Sequence, residues 1–152
     1  MHDLVEKQIT SFQNALNIVG NTINSPCITI RKGVCDMNHA PYGFPNSFQV
    51  DYTLIPNSFS KATMGIQINS SDQGLSFVSI EIVDIDANPR RRGMGRELFE
   101  QAKSVGKALG IDKIYGTILD DDAAKFYKAI GCKIEGRTFR YFLSQCDSSI
   151  SK

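Results

Sequence analysis

The chain has 152 residues, a formal net charge of +1 at pH 7 and 22% charged residues. This length suits one domain with its own hydrophobic core, and the composition is that of a soluble globular protein. The charge gives no reason to expect nucleic acid as a partner, and no apolar run is long enough to span a bilayer. Met1, His2 and Asp3 lack the basic start of a signal peptide. We therefore predict a single domain over residues 1–152 in the cytoplasm, with neither membrane nor nucleic acid as a partner.

The four cysteines give no sign of a disulfide framework. Cys27, Cys35, Cys132 and Cys146 form neither a CxxC pair nor a recognisable disulfide spacing. We interpret them as the reduced thiols of a cytoplasmic protein. Cys27, Cys35 and His39 do not have the spacing of a zinc site, so we predict no metal.

The chain begins with an amphipathic pattern. Within residues 1–20, apolar side chains recur on one helical face over residues 4–19, and Gly20 follows. This spacing predicts an N-terminal helix that ends at the glycine. Residues 28–31 are a short candidate strand.

An irregular segment over residues 33–45 contains several glycines and prolines. Loops held on a rigid scaffold often carry binding residues, so His39, Tyr42 and Phe44 are candidates for a substrate wall. The alternative is that the two aromatic side chains fasten the loop to the core.

The rest of the chain alternates strands with two helices. Residues 47–55, 62–69 and 75–85 predict an antiparallel meander. A helix with one apolar stripe follows up to Leu109, where Gly110 is a plausible C-terminal cap. The remaining predicted elements are a parallel strand over 113–119, a short helix through Ile130 capped by Asp121 or Asp122, a hairpin of 132–135 with 138–143, and a frayed tail over 144–152.

A basic, glycine-containing turn joins the long strand to the long helix. It reads Arg90-Arg91-Arg92-Gly93-Met94-Gly95 and leads directly into the helix. The first N–H groups of a helix have no partner within it, and the macrodipole makes that end positive. Glycine allows close approach of a ligand, and arginine supplies bidentate donors. The turn therefore predicts a site for a diphosphate or a similar polyanion.

The same turn resembles the Arg/Gln-x-x-Gly-x-Gly/Ala signature of the GCN5-related N-acetyltransferase (GNAT) superfamily. A second block over residues 120–132 resembles the family's Asn-x-x-Ala-x-x-Phe/Leu-Tyr-x-x-x-Gly-Phe pattern, with Asp120 in place of asparagine and Cys132 in place of phenylalanine. The resemblance implies an α+β fold. Its mixed, mostly antiparallel central sheet is flanked by helices and contains a β-α-β acyl-CoA-binding core.

The resemblance further implies an N-acetyltransferase that moves an acetyl group from acetyl-CoA to a primary amine in a ternary complex. In the family, the strand ending near Ile85 separates from its parallel neighbour, and the pantetheine lies in the gap. The implied acetyl-CoA residues are Val83, Ile85, Arg90, Arg91, Arg92, Gly93, Met94, Gly95, Arg96, Asp120, Ala123, Ala124 and Tyr127.

Two side chains are implied as catalytic. Glu81 lies in the long strand, on the same alternating face as Val83 and Ile85 if the strand is regular, and is the candidate base acting through water. Tyr127 matches the family tyrosine that protonates the departing CoA sulfur. The alternatives are a salt-bridged strand glutamate and a core tyrosine bonded to a backbone carbonyl.

Two other functions remain open. One is a non-catalytic acyl-CoA-binding regulatory module, and the other is a phosphate-sensing interaction domain that does not use CoA. As an enzyme, the protein would take an amine acceptor, either a small molecule or a protein, and a homodimer is common in the family.

Overall fold

The protein is described by a computed structural model that covers residues 2–32, 47–71, 75–90 and 92–143. It contains three helices and seven strands within those ranges. The helices are α1 (His2–Asn21), α2 (Met94–Leu109) and α3 (Asp121–Ala129). The strands are β1 (Ile28–Lys32), β2 (Ser47–Asn57), β3 (Ser60–Ser70), β4 (Phe77–Asn88), β5 (Lys113–Thr117), β6 (Lys133–Glu135) and β7 (Thr138–Phe142).

All seven strands form one sheet in the order β1-β2-β3-β4-β5-β7-β6. Every neighbouring pair is antiparallel except β4 and β5, which are joined through α2 and run parallel. A parallel pair needs such a crossover, whereas a meander needs only tight turns. The predicted α+β fold with a mixed, mostly antiparallel sheet is confirmed.

One face of the sheet forms the core together with α1 and α2. On β2, Phe48 lies edge-to-face with Phe12 of α1, with ring centroids 5.4 Å apart. On α2, a Cβ added to Gly106 would lie 3.4 Å from Ile80 Cδ1 of β4. The core-facing side chains alternate along each strand, as a half-buried strand requires. They include Phe48, Val50, Tyr52, Leu54, Ala62, Met64, Ile66, Ile68, Ile80, Ile82 and Ile114.

A β-bulge at Val83 changes which face the end of β4 presents. Gly65 of β3 pairs with Asp84, whereas the next residue, Ile66, pairs with Ile82, so Val83 is the extra residue. A bulge shifts the alternation of side chains by one position. As a result Asp84 lies on the face of Glu81, and Ile85 lies on the face of Ile82. The prediction that Glu81 shares a face with Val83 and Ile85 is wrong, because it assumed a regular strand.

Gly116 on β5 is required for close packing beside the parallel pair. A Cβ at this position would lie 2.6 Å from two ring carbons of Phe139 and 2.9 Å from the carbonyl oxygen of Ile82. We expect Gly116→Ala to lower the free energy of unfolding by about 1–3 kcal/mol, as overpacking of a core does. Urea denaturation measures this loss, with the exposed neighbour Thr117→Ala as the control. Equal stability of both variants would contradict the packing described.

The described residues can be compared with the expectations about membrane helices, metal ligands and cysteines. In the described ranges no helix has the length and apolar character needed to cross a bilayer. The same residues contain no group of three or more His, Cys, Asp or Glu side chains placed to hold a metal ion. Cys27 and Cys132 are free cysteines. Residues 33–45 with His39, Tyr42 and Phe44, and the tail over 144–152, lie outside the described residues, so the predictions made for them stand untested.

Candidate active site

A cleft of about 540 Å³ lies where the end of β4, the first turn of α2 and α3 meet. It brings together side chains from both sequence blocks, which are about thirty positions apart in the chain. The predicted site residues that line it are Ile85, Arg90, Gly93, Gly95, Arg96, Asp120, Ala123 and Tyr127. The two blocks therefore form one site.

The N-terminus of α2 opens into this cleft. Gly93 stands immediately before the helix with φ of 82° and makes no side-chain cap to the first turn. That backbone conformation is left-handed, which glycine adopts without the cost of a Cβ. The first N–H groups of α2 consequently have no cap from the residue that precedes them, and the positive end of the helix dipole faces the cleft.

Gly95 lets α2 and α3 approach each other. A Cβ on Gly95 would lie 3.1 Å from two ring carbons of Phe126 and 3.7 Å from Ile85 Cγ2. Gly95, the second glycine of the turn, therefore allows close packing of the two helices and also keeps the turn open to a ligand. Its neighbour Phe126 also lines the cleft.

The charges around the cleft are mixed. Three basic side chains line it together with three acidic ones: Arg90, Arg96 and Lys125, and Asp86, Asp120 and Asp122. Arg90 Nη1 lies 3.5 Å from Asp122 Oδ2, and both side chains are more than half exposed. An exposed ion pair of this kind is weak, so the Arg90 guanidinium remains available to an anion that arrives in the cleft.

Asp120 caps α3. Its Oδ1 accepts a hydrogen bond of 2.7 Å from the backbone N–H of Ala123, and its backbone is extended, as an N-cap residue requires. The prediction that Asp121 or Asp122 caps this helix is wrong. Both residues instead lie in the first turn, where carboxylates interact favourably with the helix dipole.

We expect Asp120→Ala to lower the free energy of unfolding by about 1 kcal/mol, because one N–H group of α3 loses its partner. Asp120→Asn retains a side-chain oxygen acceptor and is the matched control, expected to stay close to the wild type. Thermal unfolding of both variants makes the comparison. A similar loss in both would show that the charge of Asp120 matters and the cap does not.

Tyr127 is held firmly on the inner wall of the cleft. Its ring stacks on Phe139, with centroids 3.6 Å apart and an interplanar angle of 12°. Only 6% of the residue is exposed. Burial raises the pKa of Tyr127 well above its usual value, and the nearby Cys132 and Asp84 raise it further. The hydroxyl therefore keeps its proton at neutral pH and is in the donor form.

Cys132 is not suited to covalent catalysis. The thiol is buried, and that burial raises the pKa of Cys132 to about 12, with Lys103 opposing the shift. The reactive form of cysteine is the thiolate, which is scarce at neutral pH for such a group.

The parallel strands separate beside Tyr127. Pairing joins Ser79–Ile82 of β4 to Lys113–Gly116 of β5, and β4 continues to Asn88 without a β5 partner among the described residues. Ile85 lies on this separated part and lines the cleft. The gap between the strand ends thus opens next to the stacked tyrosine.

Five of the predicted site residues do not line this cleft. Arg92 and Met94 face a neighbouring cleft with Pro56, Phe59 and Pro89. Val83 is the bulged residue and is 51% exposed. Ala124 packs against the core. Glu81 is half-buried between its strand partners Gln67 and Tyr115. Arg91 lies outside the described residues.

Sequence analysis missed seven residues that line the cleft. They are Asp86 and Ala87 on β4, and Asp122, Lys125, Phe126, Ala129 and Ile130 in or directly after α3. Asp122, Lys125 and Ala129 are three and four positions apart, so they share one helical face. That spacing is the signal that could have found these three.

No protein-family model matches the chain, and no curated protein matches it. Solved structures do match. The AtaTR complex bound with AcCoA has a TM-score of 0.51 and 12% identity over 83% of this chain and 99% of that one. A mutant AtaT toxin bound to the C-terminus of the antitoxin AtaR and acetyl-CoA has a TM-score of 0.50 and 12% identity, and the match covers 83% of this chain and 99% of that one. The chain has the GNAT fold. A Desulfovibrio desulfuricans structure assigned to the GNAT family is also similar, with a TM-score of 0.48, 12% identity and coverage of 76% and 99%.

The comparisons also correct one prediction about partners of this GNAT-fold chain. Two of the similar structures are the AtaT-AtaR complex bound to DNA and the KacTA-DNA complex. The prediction that excluded nucleic acid is therefore wrong. It rested on a net charge of +1, but the charge of one chain does not decide what an assembly containing that chain binds.

Proposed function

We propose that this protein is an acetyl-CoA-dependent N-acetyltransferase that acts on a primary amine. The observation that carries the proposal is one cleft that two elements share. The N-terminus of α2, which has no side-chain cap from Gly93, faces this cleft, and Tyr127 of α3 lines it. An anion site next to a protonated tyrosine suits a ligand that has a diphosphate at one point and a thioester at another. The GNAT fold agrees with this proposal.

The diphosphate of acetyl-CoA would lie against the turn that starts at Gly93. The N–H groups of the first turn of α2 donate to its oxygens, and the left-handed glycine leaves open space, since a Cβ there would meet no atom within 4 Å. Arg90, Arg96 and Lys125 supply positive charge around it. Acetyl-CoA delivers the acetyl group as a thioester, and the chain supplies position and protons.

In the proposed reaction the neutral amine attacks the thioester carbonyl carbon. The new C–N bond forms, the C–S bond breaks, and the Tyr127 hydroxyl donates its proton to the sulfur. An ammonium group has a pKa near that of lysine, about 10.4, so a proton acceptor helps at neutral pH. The sequence predicts Glu81 as this acceptor, acting through water, and Glu81 lies on β4 together with other carboxylates.

The test is amine-dependent release of CoA, measured by chromatography with spermidine, L-lysine, glucosamine and a lysine-containing peptide as acceptors. We expect the wild type to form an acetylated product with at least one of them, and the Gly93→Glu variant to form none. A folded wild type that binds acetyl-CoA and acetylates none of the four would instead favour the non-catalytic acyl-CoA-binding module.

A further inference from the structure

The bulge in β4 places three carboxylates on one face of the sheet. Glu81 pairs with Gln67, Asp84 with Gly65 and Asp86 with Thr63, so all three lie on the face away from the core. In a regular strand Asp84 and Asp86 would point the other way. The chain therefore offers these three residues as candidates for the proton acceptor of the proposed reaction.

Glu81 and Asp84 differ in their position relative to the gap between β4 and β5. Glu81 is inside the paired part of the sheet, half-buried between Gln67 and Tyr115. The pairing ends at Ile82, and Asp84 lies beyond that point and is exposed. Asp84 is thus the exposed carboxylate nearest in the chain to the end of the pairing, and Asp86, which is also exposed and lines the cleft, lies two residues further on.

Asp84 is also held in place. Its Oδ1 accepts a hydrogen bond of 3.2 Å from the backbone N–H of Gly65. A Cβ on Gly65 would lie 2.8 Å from that same oxygen, so the glycine leaves the room that the carboxylate occupies. A carboxylate has further lone pairs for a second donor, such as an ammonium group.

Asp84 and the buried hydroxyl of Tyr127 influence each other electrostatically. The charge of Asp84 is one of the causes that raise the pKa of Tyr127, after burial and Cys132. Asp51 of β2 has its Oδ1 3.2 Å from the same Gly65 Cβ position, so a second carboxylate lies close to Asp84. The other ionisable groups that the register places on this face of β1–β5 and β7 are Arg31, Lys61, Glu81, Asp86, Lys113, Tyr115 and Arg140. The neighbouring carboxylate of Asp51 favours the approach of a cation to Asp84.

We propose that Asp84, and not Glu81, takes the proton from the acceptor amine, an assignment that rests on the proposed acetyltransferase function. The ammonium N–H bond breaks and its proton passes to the Asp84 carboxylate. The freed nitrogen lone pair then forms the C–N bond as the C–S bond breaks. The sulfur receives its proton from Tyr127, and the nitrogen of the new amide loses its remaining extra proton to water. Asp84 then releases a proton to water and Tyr127 regains one from it.

The experiment compares Asp84→Asn with Glu81→Gln in acetylation of whichever of the four amines the wild type acetylates fastest. Asparagine is isosteric and keeps the oxygen that Gly65 bonds, so the fold is retained. We expect kcat/KM of Asp84→Asn to fall about 100-fold near pH 7, with unchanged acetyl-CoA affinity by calorimetry. The loss should shrink as the pH rises toward the pKa of the amine, about 10.4, because neutral amine then comes from solution.

Asp112→Asn, an exposed aspartate between α2 and β5, is the matched control and should behave as the wild type. Wild-type kinetics in Asp84→Asn, or a loss that does not change with pH, would overturn the assignment. A larger loss in Glu81→Gln than in Asp84→Asn would return the role to Glu81. A wild type that acetylates no amine would remove the proposed function itself, and the assignment with it.

Discussion

Replacing Gly93 with glutamate is expected to weaken acetyl-CoA binding at least about 100-fold, which corresponds to roughly 2.7 kcal/mol. The new carboxylate would stand where the diphosphate is proposed to lie, at the positive end of α2. Like charges repel there, and the side chain fills space that the glycine leaves open. Calorimetric titration of acetyl-CoA into the variant measures the loss.

The control for this variant is Gly136→Glu in the turn between β6 and β7. Gly136 also has a positive φ, 59°, and a Cβ there would likewise meet no atom within 4 Å. It therefore carries a similar backbone strain and the same added charge without lining the cleft. If both variants bind acetyl-CoA equally well, the turn before α2 is not the diphosphate site.

Removing the hydroxyl of Tyr127 is expected to lower kcat about 100-fold with little change in acetyl-CoA affinity. Phenylalanine keeps the ring that stacks on Phe139, so the wall of the cleft is retained. The raised pKa of Tyr127 also has a consequence for the wild type. Because the pKa of Tyr127 lies above the usual tyrosine value of 10.0, the donor form persists at pH 10.0. As the pH rises to that value, kcat should therefore not fall through loss of this proton.

The matched control is Tyr52→Phe, which deletes another buried hydroxyl, in the core of β2. Steady-state kinetics of both variants, with calorimetry for acetyl-CoA, separate chemistry from binding. A parallel loss of turnover and affinity in Tyr127→Phe would indicate a structural tyrosine. So would an equal loss of kcat in the two variants.

The elements of this fold could be predicted because local patterns determine them. The apolar stripe of α2 runs to Leu109, and Gly110 ends the helix with φ of 74°, as a C-terminal glycine does. The strands of the meander alternate buried and exposed residues, which the sequence displays directly. The two blocks that meet in the cleft were also identified, because each combines a turn with a helix start.

Other features depend on tertiary pairing that no local pattern reveals. The bulge at Val83 exists only in the register between β3 and β4, and it moves Asp84 to the face of Glu81. Three successive aspartates stand at the start of the helix, and any of them is a suitable residue type for the N-cap of α3. Which one caps the helix, here Asp120, depends on where the chain leaves β5. Net charge likewise cannot exclude nucleic acid, because a sum over the chain does not show where its charges lie.

The measurement that tests the account most directly is a calorimetric titration of acetyl-CoA into the folded wild type, with ADP as the competing ligand. We expect one molecule of acetyl-CoA to bind per chain, with ADP binding at least about tenfold more weakly, a difference of roughly 1.4 kcal/mol. ADP lacks the pantetheine arm and the thioester, which the proposed function places in the cleft beside Tyr127. No heat of binding from folded protein, or equal affinity for ADP, would contradict the acetyltransferase and leave a general phosphate-binding domain.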